Sequence, residues 1–213
     1  MRTEANPFYG DGFKTTNMPS AMGEGITMAK NIGAQVVNMG LIQTYPMCDP
    51  NSGAIELIDD ARFEGAILVN QEGKRFVEEL QRRDVMSKAI LEQTGKYCYA
   101  IFNGEIEKRS HAITHHQDEV EVFTKTGILH KADTIEGLAL GMHVYTDRLV
   151  AAYEDYSAAV AAGKDEAFGK DASFLLPIEK APFYAVKVYP TTFGSAGGVT
   201  TTDQGRVTTQ DGT

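Results

Sequence analysis

The sequence predicts an α+β fold, a small mixed or antiparallel sheet with hairpins, packed by several helices. Three observations carry this expectation. Residues 65–70 and Arg75-Phe76-Val77 are short β-prone runs joined around Gly73, a residue suited to positive φ, and so form a hairpin. A second hairpin is expected over residues 197–209, with its turn at Gln204-Gly205. Between them, segments of helical period with stop signals alternate with two apolar, β-prone runs at residues 97–102 and 183–189. A chain of 213 residues, 42% apolar and 23% charged, is long enough for one good core or two small ones.

The remaining elements follow in chain order. The first twenty residues, with Asn6-Pro7, Gly10-Asp11-Gly12 and Asn17-Met18-Pro19-Ser20, are turn-rich and predict a loop entering a domain. Ser20 is placed to cap a helix running to about Asn31, with Met22, Ile26, Met28 and Ala29 on its apolar face and Gly33 past its end. A strand is expected over residues 35–39. Beyond the first hairpin, Asp84 is placed to cap a helix through Val85, Ala89, Ile90 and Leu91 that stops at Gly95. The run at 97–102 then reads as a buried strand. Residues 105–133 mix charges without a clear period and hold His111, His115 and His116. A short helix opens in Asp133-Thr134-Ile135-Glu136, and a longer one covers residues 146–162, with Leu149, Tyr153 and Val160 facing inward. The β-branched and aromatic run 183–189 is a strand that Pro190 stops.

Charge and motif content exclude several function classes. With 20 basic and 29 acidic side chains the formal charge is −9, and no basic block provides the footprint of a nucleic-acid site. No apolar run is long enough to span a bilayer, and residues 1–6 lack the apolar region of a signal peptide, so a soluble, untargeted chain is expected. Cys48 and Cys98 lie fifty residues apart without zinc-site spacing, and no metal is expected. The patterns Gly10-Asp11-Gly12 and Gly23-Glu24-Gly25 do not complete GxGxxG, because Thr15 and Met28 stand at the last glycine positions, and neither follows an apolar strand. His115-His116 beside Asp118 and Glu119 reads as a solvated segment. The densest chemistry lies in Asp59-Asp60-Ala61-Arg62 and Glu78-Glu79-Leu80-Gln81-Arg82-Arg83-Asp84. By composition this is a set of surface ion pairs. Arg83, however, sits just before an expected helix N-terminus, where helix dipole and guanidinium together suit a carboxylate.

These residues resemble a known family. The run from Gly65 to Leu80, Gly-Ala-Ile-Leu-Val-Asn-Gln-Glu-Gly-Lys-Arg-Phe-Val-Glu-Glu-Leu, followed by Arg83-Asp84, is similar to the substrate-capping domain of the fumarate reductase and succinate dehydrogenase flavoproteins. Thr15-Thr16-Asn17, Gly23-Glu24-Gly25-Ile26-Thr27, Lys131-Ala132-Asp133, Pro182-Phe183-Tyr184-Ala185 and Gly197-Gly198 fall in that family's order. The resemblance implies FAD as cofactor, held mainly by a domain outside this chain. It implies a capping domain at 20–196, a connecting segment at 1–19, and a hairpin at 197–213 leading back to the FAD-binding domain of the same parent protein. The isolated chain is expected to be inactive, and its small-molecule partner is an unsaturated carboxylate.

The resemblance also assigns roles. Arg83 stands at the position of the arginine that protonates the C=C bond, and Arg62 and Asp59 at the proton-relay positions, Asp59 replacing the usual Glu. Glu24, Gly197 and Gly198 match positions near the FAD. Fumarate reductases carry histidines where this chain has Tyr45, in Gln43-Thr44-Tyr45-Pro46, and Phe193. The spacing of Tyr45, Asp60 and Arg83 is similar to the urocanate reductase branch, in which the Tyr and Asp face an imidazole. Tyr45, Asp60 and Phe193 are therefore expected to bind the far end of the substrate. The segment Phe193-Gly194-Ser195-Ala196-Gly197-Gly198 is similar instead to 3-ketosteroid dehydrogenases, which supply the alternative chemistry.

Overall fold

The computed structural model describes residues 2–10, 12–56 and 59–209. Asp11, in the first glycine pattern, and the terminal residues 210–213 lie outside the described residues. In chain order the elements are α1 (Arg2–Ala5), a 3-10 turn (Pro7–Tyr9), α2 (Glu24–Asn31), β1 (Val36–Val37), β2 (Ile42–Cys48), α3 (Asp60–Phe63), β3 (Ile67–Val69), α4 (Arg83–Leu91), β4 (Cys98–Asn103), α5 (Gly104–Ser110), α6 (Gln117–Thr126), β5 (Leu129–Ala132), α7 (Ile135–Met142), α8 (Thr146–Ala162), β6 (Phe183–Ser195) and β7 (Gly198–Val199). The chain divides into two compact units, one of Pro46–Pro190 and one of the residues up to Tyr45 with those from Thr191 onward.

The α+β expectation holds. Among the described residues the main sheet runs β2-β6-β4-β3, with β5 also paired to β6. Strand β4 pairs antiparallel with both β3 and β6, and β5 antiparallel with β6: Ile67 faces Ile101 between β3 and β4, and Cys98 to Asn103 face Val188 to Phe183 between β4 and β6. All six residues of β4 are buried, as its apolar run requires of a central strand. The core also takes in Met86 and Ile90 of α4, Leu138 of α7, and Leu149 and Tyr156 of α8, each 1% exposed or less. The first hairpin forms about Gly73 at φ 76, with Asn70 Oδ1 accepting the amides of Glu72 and Lys74. Its strand after the turn is reduced to the single bridge between Val69 and Arg75. In the other unit, β1 pairs with β7, and the tail hairpin closes through the Thr201–Val207 bridge with Gly205 at φ 78.

Several elements differ from the sequence expectation. The first twenty residues are not all loop: they include α1, from which the Arg2 guanidinium donates to the carbonyls of Gly10 and Phe13 and to Thr192 Oγ1. Helix α2 starts at Glu24 behind a left-handed Gly23, not at Ser20, and buries none of its residues. Met22 and Met28 are 70% and 65% exposed. The strand expected at 35–39 is cut to two residues, because Asn38 turns into the left-handed region at φ 56. Helix α4 is preceded by Arg82, and Asp84 pairs with the Arg82 side chain instead of capping. Residues 105–133 contain most of α5, all of α6 and all of β5. Strand β6 continues through Pro190 to Ser195. The β4 ladder ends at Val188, so the N–H that Pro190 lacks falls outside it.

Candidate active site

The Pro46–Pro190 unit brings Asp59 and Arg62 together in a buried pair. Asp59 directly precedes the single turn of α3, so Arg62 lies three residues on, over the same face. Arg62 Nε donates to Asp59 Oδ1 at 2.8 Å and Nη2 to Oδ2 at 3.2 Å, a bidentate fork with both side chains almost fully buried. Its Nη1 donates to the Glu79 carbonyl at 3.1 Å and lies 3.6 Å from Met86 Sδ, while the guanidinium carbon sits 4.3 Å from the Phe63 ring centre. Met86 follows Arg83 by three residues on α4, so Arg62 reaches beneath the turn that Arg83 opens. Arg83 is the first residue of that helix and exposed; Asp60, the first residue of α3, is exposed too.

The expectation of surface ion pairs holds for Arg82–Asp84, whose side chains are 78% and 58% exposed. It fails for Asp59, Arg62 and Glu79, which are buried. The turn at Gly73 folds the chain back so that Glu79 Oε1 accepts the Leu68 amide of β3 at 3.3 Å. Arg75 forks onto Glu79 at 2.9 and 3.1 Å and reaches Asp165 Oδ2 at 2.9 Å. Lys170 Nζ lies 3.4 Å from Glu79 Oε2 and donates to the carbonyls of Gly65 and Ala66. Glu79 and Lys170 side chains are 0% exposed. Burial pulls the proton affinity of Arg75 down, yet Glu79 and Asp165 outweigh it and raise the net value. For Lys170 burial prevails over Glu79, and its proton affinity falls. Neither Asp165 nor Lys170 is announced by any local motif; only the fold brings them ninety and more residues back along the chain.

The other unit holds Tyr45, Phe193, Glu24, Gly197 and Gly198. Tyr45 is 8% exposed, and its ring lies 5.7 Å from that of Phe193, tilted by 39°. Glu24 is exposed in the first turn of α2. A pocket of about 480 Å³ is lined in part by Thr15, Asn17, Gly23, Ile26, Thr192 and Gly194. At Gly194 and Gly198 a Cβ would meet nothing within 4 Å, which leaves the backbone open to a flat ligand. Gly197 is different: a Cβ there would lie 2.5 Å from the Asn38 carbonyl oxygen and 2.6 Å from Met39 Cα. Gly197→Ala should therefore lower stability by about 1–3 kcal/mol, read as a reduced urea midpoint, whereas Gly198→Ala should leave it nearly unchanged.

Among the described residues, no helix is long and apolar enough to cross a membrane, and no group of three or more His, Cys, Asp or Glu is placed to hold a metal ion.

The chain is 39% identical to the NADH:acrylate oxidoreductase of Vibrio harveyi over 95% of its own length and 20% of that protein. It is 35% identical to the urocanate reductase of Eggerthella lenta over 93% of its length and 33% of that protein. The fold matches a flavocytochrome c3 fumarate reductase in its open conformation with a TM-score of 0.80 at 33% identity, covering 99% of this chain and 36% of that one. The chain thus spans between 20% and 36% of the length of these relatives. The pattern defining the FAD binding domain matches residues 6–213, almost the whole chain, and the chain belongs to that family.

Proposed function

We propose that this chain is the capping, substrate-binding part of an FAD-dependent reductase that saturates the C=C bond of an unsaturated carboxylate. The observation that carries the reading is the buried Asp59–Arg62 fork, set beneath the turn that starts with Arg83. A guanidinium gives up a proton only in a preorganised site with an acid ready to restore it. Arg83 holds the substrate carboxylate and donates the proton to carbon, and Arg62 and Asp59 return one to it. FAD, when bound and reduced, supplies the hydride.

The residues present fit part of FAD. The pocket in the unit that holds Tyr45 and Phe193, with open backbone at Gly194, suits a planar ring system. The glycine patterns make no phosphate cradle of the strand-turn-helix kind, so the pyrophosphate is assigned to a companion domain of the parent protein. Glu24 and Gly198 remain proposed FAD contacts, whereas for Gly197 close packing is sufficient reason. Within the chain, 20–196 is proposed as the capping domain and 1–19 and 197–213 as the crossings to that companion.

Relatives named for acrylate, fumarate and urocanate share a C=C bond conjugated to a carboxylate. The Tyr45–Phe193 ring pair replaces histidines, and a ring-bearing acrylate is therefore favoured over fumarate, with Tyr45, Asp60 and Phe193 as substrate contacts. The test is an assay of the intact, FAD-loaded parent protein with a reduced dye and, in turn, urocanate, cinnamate and fumarate. Dye oxidation should be fastest with the ring-bearing acids. A parent protein that carries FAD and oxidises the dye with none of them would overturn the reading.

A further inference from the structure

A cavity of about 350 Å³ within the Pro46–Pro190 unit takes no part in the chemistry assigned above. Its lining includes Gln71 of the first hairpin, Tyr97 and Tyr99 on either side of Cys98, His130 of β5, His143 just after α7 and Lys187 of β6. Among the described residues no carboxylate lines it, although the chain carries a formal charge of −9. Lys187 Nζ lies 3.8 Å from the centre of the Tyr97 ring. A ring face occupies one side of an ammonium and leaves its other N–H groups available. His143 ends α7 in the left-handed region, at φ 57, a place glycine usually fills, so an imidazole stands there instead of bare backbone. The Tyr97 and Tyr99 rings meet edge to face with centres 5.7 Å apart, and the Tyr99 and His130 rings lie 6.1 Å apart. The Tyr99 hydroxyl donates to the Met142 carbonyl at 3.2 Å. Gln71 Nε2 donates to the Tyr97 carbonyl at 2.6 Å, which fixes the orientation of the amide. Its Oε1 is buried and, among the described residues, has no donor.

Two needs are left open at opposite chemical poles. A buried acceptor without a donor is costly, and an O–H or N–H brought by a ligand removes that cost. On the basic side, burial first and then the charges of His143 and Lys187 lower the proton affinity of His130, and the Gly127 carbonyl offsets only part of this. An anion among these three groups would turn their mutual repulsion into attraction. We propose that the cavity is a second binding site, for a small organic anion that carries a hydrogen-bond donor away from its charge, of the hydroxyaryl carboxylate class. Lys187 and the two imidazoles take the carboxylate, the rings of Tyr97, Tyr99 and His130 flank the flat body, and Gln71 Oε1 accepts from the hydroxyl. None of these residues is assigned to the reaction, so the inference is independent of the reductase reading.

Calorimetric titration of the intact, FAD-loaded parent protein tests this, with 4-hydroxybenzoate as the probe and benzoate and 4-hydroxybenzyl alcohol as comparators. The probe should bind saturably. Benzoate lacks the donor for Gln71, and the alcohol lacks the carboxylate, so each should bind about fivefold or more weakly than the probe. This comparison needs no variant and so does not depend on any substitution being tolerated. Lys187→Gln should weaken the probe about tenfold or more, whereas Arg83→Ala should leave its affinity unchanged. No saturation below about 10 mM, or equal affinity for probe and comparators, would overturn the inference. So would binding that is lost in Arg83→Ala and kept in Lys187→Gln, because the probe would then occupy the candidate active site. That last result would leave the reductase reading standing.

Discussion

Arg83→Ala should reduce turnover of the FAD-loaded parent protein by about 10²- to 10⁴-fold, the range for loss of a positioned proton donor. The loss should appear in kcat and also raise KM, because the same guanidinium holds the substrate carboxylate. Arg83→Lys should rescue little. An ammonium offers a point charge without the planar fork, and it does not reproduce guanidinium geometry toward a carboxylate. Folding should be unaffected, since Arg83 is exposed at the first position of α4 and the burial that anchors this helix comes from Met86, Ser87 and Ile90. Urea unfolding of both variants should coincide with wild type. Full turnover by Arg83→Ala would favour the dehydrogenase chemistry suggested by Phe193-Gly194-Ser195, in which phenols rather than an arginine act on the substrate.

The second large effect is on stability. Glu79→Gln should destabilise the chain by about 3–5 kcal/mol, the usual result of removing one partner from a buried ionic group. Glu79 and Asp165 balance Arg75 and Lys170; without the Glu79 charge, two buried cations share one carboxylate. The contact that matters to the candidate site is spared, because Arg62 bonds the backbone carbonyl of Glu79 and not its side chain. Urea unfolding measures the loss. Adding Lys170→Met restores local neutrality and should recover part of it, a coupling that a double-mutant cycle isolates. A loss below about 1 kcal/mol for Glu79→Gln would show that water reaches the cluster and screens it.

Legibility in the sequence followed the strength of local signals. Helix α8 was readable to its ends because seventeen residues carry the period and Gly163 stops it in the left-handed region. Strand β4 was readable because all its residues face the interior. Helix α6 was not, because Phe123 is its one buried residue and a single apolar position sets no period. Helix α5 starts from Asn103, whose side chain accepts the Ile106 amide, but Asn103 also ends the β4 run and so gives an ambiguous signal. Within the site, Arg62 and Asp59 were singled out by the family resemblance, whereas composition alone read them as surface ion pairs; it is the fold that buries them in contact at i and i+3. Lys170 and Asp165 were not: residues so distant from Arg75 and Glu79 look like ordinary surface charges until the chain is folded. Glu56 was hidden as well: in the sequence it looks like any surface acid, yet it is 1% exposed and, among the described residues, neither carboxyl oxygen has a hydrogen-bond partner.

The hairpin turn at Gly73 has a bearing on how this chain tolerates change. Hairpin tips are ordinarily where insertions accumulate, because they project into solvent. This one does not: the space a Cβ would take at Gly73 is bounded by the Leu149 amide nitrogen at 2.9 Å and the Tyr145 carbonyl at 3.1 Å, at the start of α8. Lengthening the turn would lift α8 and draw Arg75 off Glu79 and Asp165. The tail hairpin carries no such constraint, since a Cβ at Gly205 meets open space. Length variation among related chains should therefore collect near residues 203–205 and be scarce at 70–74, even though both are glycine-bearing turns of similar outward form.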